Sequence, residues 1–298
     1  MLQRQGTAAV LVALLLTTVA AGKDYEIRLL RPATVGQNYR VQVVFTRQQK
    51  ETATLDGEAV KPEIASIITT MIASVEVLKV NTKGQAIAEE YTIEKCSQVR
   101  DGKTTELLQP GHVLVVAAGE IGPDIRSEGQ PLTEAGHSIL SELFDMRETE
   151  ITEDEIFGTR KRKNVGDSWD INTEAAKKFA EGVGIKMDGV KGAAKFVGLK
   201  KYGEADCLEV TAEFSASKLA VPAPDGFVVE KGTMKSNVWG LYPEAPNSPR
   251  QHEKVTTDFE MVVSGSKDGK KITATTYGRT IREVKRLGPK PVEAAANN

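Results

Sequence analysis

Apolar and polar residues alternate with period two through most of the chain. Tyr39, Val41, Val43 and Phe45 alternate with Arg40, Gln42 and Thr46, and Ile87, Tyr91 and Ile93 share a face. Leu208, Val210, Ala212 and Phe214 alternate with Glu209, Thr211 and Glu213. Val255, Thr257, Phe259, Met261 and Val263 alternate with Thr256, Asp258 and Glu260. Successive side chains of a strand point to opposite faces, so each run predicts a strand with one buried and one wet face. Strands of that kind suit antiparallel sheets. Val113 to Ala118 is apolar on both faces and predicts a central strand. Asp101-Gly102 and Asp268-Gly269 sit between such runs and predict tight hairpins, because both central positions tolerate positive φ. Lys83-Gly84 and Tyr202-Gly203 predict further hairpin tips.

Helical spacing is rarer. Leu132, Ala135, Gly136, Ile139, Leu140 and Leu143 form one apolar stripe, which predicts a helix near 132–144. A second helix is expected from about Thr173 to Glu181, capped by Asn172, with Ala176, Phe179 and Ala180 on one side and Gly182 ending it. Ile64, Ile67, Ile68, Met71, Ile72 and Val75 also have helical spacing, but the segment is rich in Ile and Thr, which favour strands. Ile64 to Ala73 is therefore open between helix and strand, and Ser74 to Val80 is expected to be strand.

The N-terminus departs from this pattern. Arg4 precedes an unbroken apolar run from Ala8 to Leu16, and Val19-Ala20-Ala21 supplies small residues at its exit. A positive end, a short apolar middle and a small-residue exit are the parts of a secretory signal, with cleavage expected near Ala21 or Gly22. The strongly apolar part is well short of the ~20 residues that a bilayer crossing needs. Export to the periplasm or the extracellular space is the expectation, with no membrane span after the signal is removed. The remaining chain divides into a β-rich half at 23–150, a charged connector at 151–163, a second β-rich half at 164–287 and a disordered tail at 288–298. The connector holds Glu153, Asp154 and Glu155, then Arg160 to Lys163.

Composition narrows the function classes. The 298 residues carry 39 basic and 41 acidic side chains, a formal charge of -2. Removing 1–22 takes away Arg4 and leaves 38 against 41, or -3. A near-neutral chain with 5% aromatic residues lacks both the basic surface and the stacking platforms of a nucleic-acid binder. Two cysteines, Cys96 and Cys207, exclude a disulfide-dense scaffold. They permit one bridge or two free thiols, each on the strand face opposite the larger apolar residues.

Two short segments match each other. Val35-Gly36-Gln37-Asn38-Tyr39 and Val165-Gly166-Asp167-Ser168-Trp169 both read Val-Gly, two polar residues and a large aromatic. Leu78-Lys79 before Gly84 parallels Leu199-Lys200 before Gly203. With the leader, these features resemble a broad set of exported bacterial β-rich proteins of unknown function. The layout is also similar to the half-open barrels of periplasmic lipoprotein carriers. That resemblance implies an apolar ligand under a helical lid and assigns no residue.

Catalytic and metal motifs are not legible. His112, His137 and His252 are too far apart in sequence for a helical metal pair. Glu134 and His137 make a lone E-x-x-H, half of what a di-iron bundle needs, and read as exposed helix residues. His112 and His252 read as surface residues. Gly166-Asp167-Ser168-Trp169 lacks the second glycine of a serine-nucleophile turn. Gly265 to Lys270 has the wrong spacing for a phosphate loop. Glu89 and Glu90 point to opposite faces of a strand and cannot act together. No catalytic, cofactor-binding or metal residue is assigned. The expected fold is mainly β (α+β), an antiparallel curved sheet or two related lobes, with two or three helices. The expected function is that of an exported, non-catalytic envelope protein holding an apolar small molecule or lipid in the sheet's concavity, under Leu132 to Leu143. A structural or protein-interaction module of the envelope, and a hydrolase with an unrecognised site, are the alternatives.

Overall fold

The computed structural model describes residues 23–119, 122–128, 132–146, 151–182, 184–223, 225–245 and 247–288. The expected leader at 1–22 and nearly all of the expected tail lie outside them. Among the described residues, thirteen strands form one antiparallel sheet that does not close, and three helices lie beside it. In chain order the first half gives β1 (Asn38–Leu55), β2 (Glu58–Ala59), β3 (Glu63–Val80), β4 (Ala86–Arg100), β5 (Lys103–Leu108), β6 (Val113–Ala118) and β7 (Pro123–Ser127). Then come α1 (Glu134–Ser141), α2 (Glu153–Phe157), β8 (Ser168–Asp170), α3 (Thr173–Glu181) and β9 (Lys186–Asp188). β10 (Lys191–Tyr202), β11 (Ala205–Ala216), β12 (Lys218–Ala220), β13 (Phe227–Pro243), β14 (His252–Lys267) and β15 (Lys270–Leu287) complete the chain.

The strand order is β7-β6-β4-β3-β1-β15-β14-β13-β11-β10-β8. Neighbours in sequence are mostly neighbours in space. The main exception is the pairing of β1 with β15, from Arg40↔Leu287 to Leu55↔Ile272, which joins the two ends of the chain in mid-sheet. β1, β3 and β15 each run 18 residues, on the order of 60 Å. The expected hairpins form with Asp101 and Asp268 at φ 50° and 53°, each followed by a glycine at positive φ.

Ile64 to Ala73 is strand throughout. Ile67, Thr69, Met71, Ala73, Val75 and Val77 are buried, while Ile64 and Ile68 point outward. The β-branched content outweighed the helical spacing, because β1 and β4 offer partners along both edges. α3 has the expected bounds, and the Asn172 side chain accepts from the Ala175 N–H at 3.1 Å. α1 is shorter than 132–144, and only Leu140 within it is buried.

The two Val-Gly segments fold alike. Gly36 and Gly166 both have positive φ. Their N–H groups donate to Val77 and Phe196 on the neighbouring strand, and those residues donate back to Gln37 and Asp167. Tyr39 and Trp169 follow as the first large side chains of β1 and β8.

Among the described residues the three helices and the small β9–β12 sheet lie on one face of the main sheet, here called inner. Under α1 and the turn after it, Met71, Ile93, Cys96, Leu114 and Val116 pack against Leu140, Leu143 and Phe144. Tyr25, Ile27 and Leu29 alternate as a strand would and pack on Phe196, Leu208, Val210 and Tyr242. Tyr25 is also tied to Lys163 by paired backbone hydrogen bonds. α2, α3 and the small β9–β12 sheet cover Ala194, Ala212 and Ala216.

Cys96 corrects one sequence expectation. Counted by strict alternation it faces away from Tyr91 and Ile93, yet it is fully buried in the same cluster. The register slips between Ile72↔Lys95 and Ala73↔Ile93, so one extra residue of β4 is absorbed. A bulge of this kind returns the following side chains to the opposite face. Cys96 and Cys207 are both free and buried, and burial pushes the Cys96 thiol pKa up to about 12.

Candidate functional site

Two features of the inner face stand out: an ionic cluster around a cavity at mid-sheet, and an uncovered apolar stretch at the far end of the long strands.

The cluster is built where β1, β15 and β14 cross the middle of the sheet. Register places Val41 beside Arg286, Val43 beside Val284 and Phe45 beside Arg282, with Glu253 next to Val284 on β14. Arg250, in the loop before β14, bonds Glu153 and Glu253 at 2.8 Å each. Arg282 reaches the other oxygen of Glu253 at 3.6 Å, and its Nε donates to the Leu143 carbonyl at 3.1 Å. Only 6% of the Glu253 side chain is exposed. Burial raises its carboxyl above the ordinary range, while Arg250 and Arg282 pull it down. Burial likewise works against the Arg250 charge, but Glu153 and Glu253 outweigh it and hold the guanidinium above its ordinary value.

Glu89 is buried nearby and accepts from the Tyr39 hydroxyl at 2.8 Å and the Tyr91 hydroxyl at 2.5 Å. Burial first, and then the Glu89 carboxylate, push both phenols well above the ordinary tyrosine value. Both hydroxyls therefore stay protonated and donate. Glu90, on the other face, is half-buried, as the alternation required. Tyr39, Glu89, Tyr91, Arg250, Arg282 and Arg286 line a cavity of about 320 Å³, together with the segment from Leu29 to Arg31 and the turn from Leu143 to Met146.

At the far end of the sheet the same face changes character. β1 contributes Ala53 and Leu55, β15 Ile272 and Ala274, β14 Phe259, Met261 and Val263, and β13 Phe227 and Val229, all half-exposed. The Phe259 ring lies flat across the strand, since a Cβ at Gly278 would come within 2.1 Å of it. Phe227 lies over Gly265 in the same way, at 2.6 Å. The outer face of these strands carries ion pairs, Arg279 to Asp258 and Lys231 to Glu260, along with exposed Val228 and Tyr277. One side is thus patterned for burial and the other for water, but the layer of helices stops short of the apolar side. The alternation predicted the inward face of Val255 to Val263 correctly; it could not show that, among the described residues, no helix lies over it.

The three histidines separate. His137 and Glu134 are exposed on α1. His112, expected at the surface, is half-buried with its Nε2 2.7 Å from the Ser127 hydroxyl. His252, also expected at the surface, is 13% exposed on the outer face, 2.8 Å from Glu283 and edge-on to Trp239. Among the described residues no three His, Cys, Asp or Glu side chains gather as a metal site requires, and no helix is long and apolar enough to cross a membrane.

His252 gives a pH prediction. Burial holds its pKa below the ordinary 6.5, against the opposing pull of Glu283. A depressed histidine stabilises the fold above its unfolded value, and this contribution is lost as pH falls through the folded value. Burial would raise Glu283, but hydrogen bonds from Lys285 and His252 outweigh it and hold its pKa low, so its contribution is also lost on acidification. The melting temperature is expected to fall between pH 7 and pH 5, and less steeply in His252→Gln. Equal slopes in the two proteins would exclude this origin.

No protein-family model matches the chain, and no curated protein matches it. Among solved structures, it is similar to one described as "Lipid-protein interactions in lipovitellin", at 8% identity and a TM-score of 0.38. That likeness covers 86% of this chain but only 25% of the other, so the chain spans about a quarter of the length of that protein. An outer-membrane channel from Pseudomonas putida F1 matches at 9% identity and a TM-score of 0.21, covering 86% of this chain and 97% of that one. Salmonella typhi OmpF in complex with daunomycin matches at 9% identity and 0.22, covering 83% and 98%. At these TM-scores the likenesses carry no argument about function.

Proposed function

We propose that the protein is an exported, non-catalytic envelope protein that binds an apolar ligand, an acyl chain of a lipid, on the uncovered end of the inner face. The observation that carries this reading is the contrast between the two sides of the same strands. Phe227, Phe259, Met261, Val263, Ile272 and Leu55 face inward with no helix over them among the described residues, while paired charges, with Val228 and Tyr277, face outward. An extended apolar patch on a soluble protein marks a binding surface. The flattened phenylalanine rings leave a smooth floor on which a chain can lie. The place differs from the one the helix at 132–144 suggested. Beneath α1 itself Leu140 packs into the sheet, and the space that remains lies beside it, under the turn from Leu143 to Met146.

Two measurements test the reading. Nile red, a neutral apolar dye, is expected to bind the full-length protein. Met261→Glu is expected to weaken that binding roughly tenfold or more, since a carboxylate placed against an apolar ligand costs more than ~1.4 kcal/mol. Val262→Glu, on the outer face, is expected to leave it unchanged. Equal binding by all three proteins rules out this face. The leader belongs to the same reading. Intact mass of the protein recovered from an exporting host is expected to correspond to a chain beginning near Gly22 or Lys23, and a product retaining Met1 contradicts export by cleavage.

A further inference from the structure

The mid-sheet cavity has a second use that the apolar face does not explain. Of the four arginines lining it, Arg250 and Arg282 are taken up by Glu153 and Glu253. Arg31 donates to the carbonyls of Pro243 and Ala245, and its Nε is buried without an acceptor. Arg286 is different. Its guanidinium lies over the Tyr39 ring, 3.7 Å from the centroid, and donates no hydrogen bond to any described residue. Glu89, which lines the same cavity, is occupied by the hydroxyls of Tyr39 and Tyr91.

A guanidinium has five N–H donors in a planar fork that matches a carboxylate. Stacking on a tyrosine fixes that plane and leaves the edge donors free. Leu29, Val43, Leu143, Phe144, Met146 and Phe179 give part of the wall an apolar side, beside the polar Gln85, Asp145, Glu153 and Gln251. The volume of about 320 Å³ falls at the lower end of small-molecule sites, which run from roughly 300 to 1,000 Å³.

We propose that this cavity binds a fatty carboxylate, with its head on the Arg286 fork and its tail against the Leu29, Leu143 and Phe144 side. One guanidinium lacking an acceptor suits one negative charge, and a monocarboxylate supplies it. Burial of Arg286, which lowers its hold on its proton, is then offset by the bound anion. The site is separate from the open face, about eight residues along β15 from Gly278, or roughly 27 Å.

Calorimetric titration of the full-length protein with dodecanoate, dodecanol and acetate tests this. Dodecanoate is expected to bind at least tenfold more tightly than either of the others, since the head and the tail each contribute. Arg286→Met, which keeps a side chain over Tyr39 but removes the charge, is expected to lose tenfold or more in dodecanoate affinity, while Val262→Glu, on the outer face, leaves it unchanged. Failure of the wild-type protein to bind dodecanoate, equal affinity for dodecanol, or equal affinity for acetate each overturns the assignment. The comparison of the three ligands needs no variant, so it decides the matter even if Arg286→Met does not fold. Loss of dodecanoate binding in Met261→Glu with retention in Arg286→Met would move the carboxylate to the open face and overturn the cavity site alone.

Discussion

Replacing Arg250 by alanine is expected to cost about 3–5 kcal/mol of stability, among the largest effects of any single substitution in this protein. Glu253 is the reason. Its side chain is 6% exposed, and Arg250 at 2.8 Å is its closest cation. Without that partner the carboxylate keeps only Arg282, 3.6 Å away, and must either stay charged in a poor environment or take up a proton. Glu153 loses its bond to Arg250 as well. The same reasoning predicts a partial rescue. In the double substitution Arg250→Ala with Glu253→Gln no buried charge is left uncompensated at that position, so its loss should be smaller than that of Arg250→Ala alone. Denaturant unfolding of the four proteins of this cycle gives the coupling directly. A cost below about 1 kcal/mol for Arg250→Ala would mean that water already solvates Glu253.

Leu143→Ala is expected to lose about 2–5 kcal/mol. Leu143 is fully buried where the turn after α1 meets β3, β4 and β6, and it packs there with Leu140 and Phe144. Its carbonyl also accepts from Arg282, so the turn is pinned at both backbone and side chain. A pinned turn collapses poorly into a void, which places the expected loss in the upper part of that range. The unfolding midpoint in urea measures it. A loss near 0.5 kcal/mol would show that α1 is a loose lid over a soft interior, contrary to the packing described above.

Much of the sheet was legible because its signal is local. Alternation at Tyr39 to Phe45, Leu208 to Phe214 and Val255 to Val263 named the inward side chains of β1, β11 and β14 without any knowledge of partners. Asn172 and Gly182 bounded α3, since caps act within one turn of their own helix. The repeated Val-Gly segment anticipated a shared turn, and the two copies do make the same hydrogen bonds. A missed local signal is α2. Thr152 and Glu155 form a capping box, with Thr152 accepting from the Glu155 N–H and Glu155 from the Thr152 N–H. That T-x-x-E spacing precedes Ile156 and Phe157 inside the segment read as a charged connector.

The candidate sites were legible in neither composition nor motif. Glu89, Arg250, Glu253, Arg282 and Arg286 are single charged residues in unrelated stretches of sequence, and each reads alone as a surface position. They meet because β1 and β15 pair across more than two hundred residues of intervening chain, a contact that local pattern cannot encode. The bulge before Cys96 and the uncovered end of the inner face have the same origin. The chain's own alternation determined which side chains would turn away from water and that the protein would be an antiparallel sheet. Tertiary structure decided which of those side chains would be covered and which charges would be paired, because cover and pairing depend on the register and reach of segments distant in sequence.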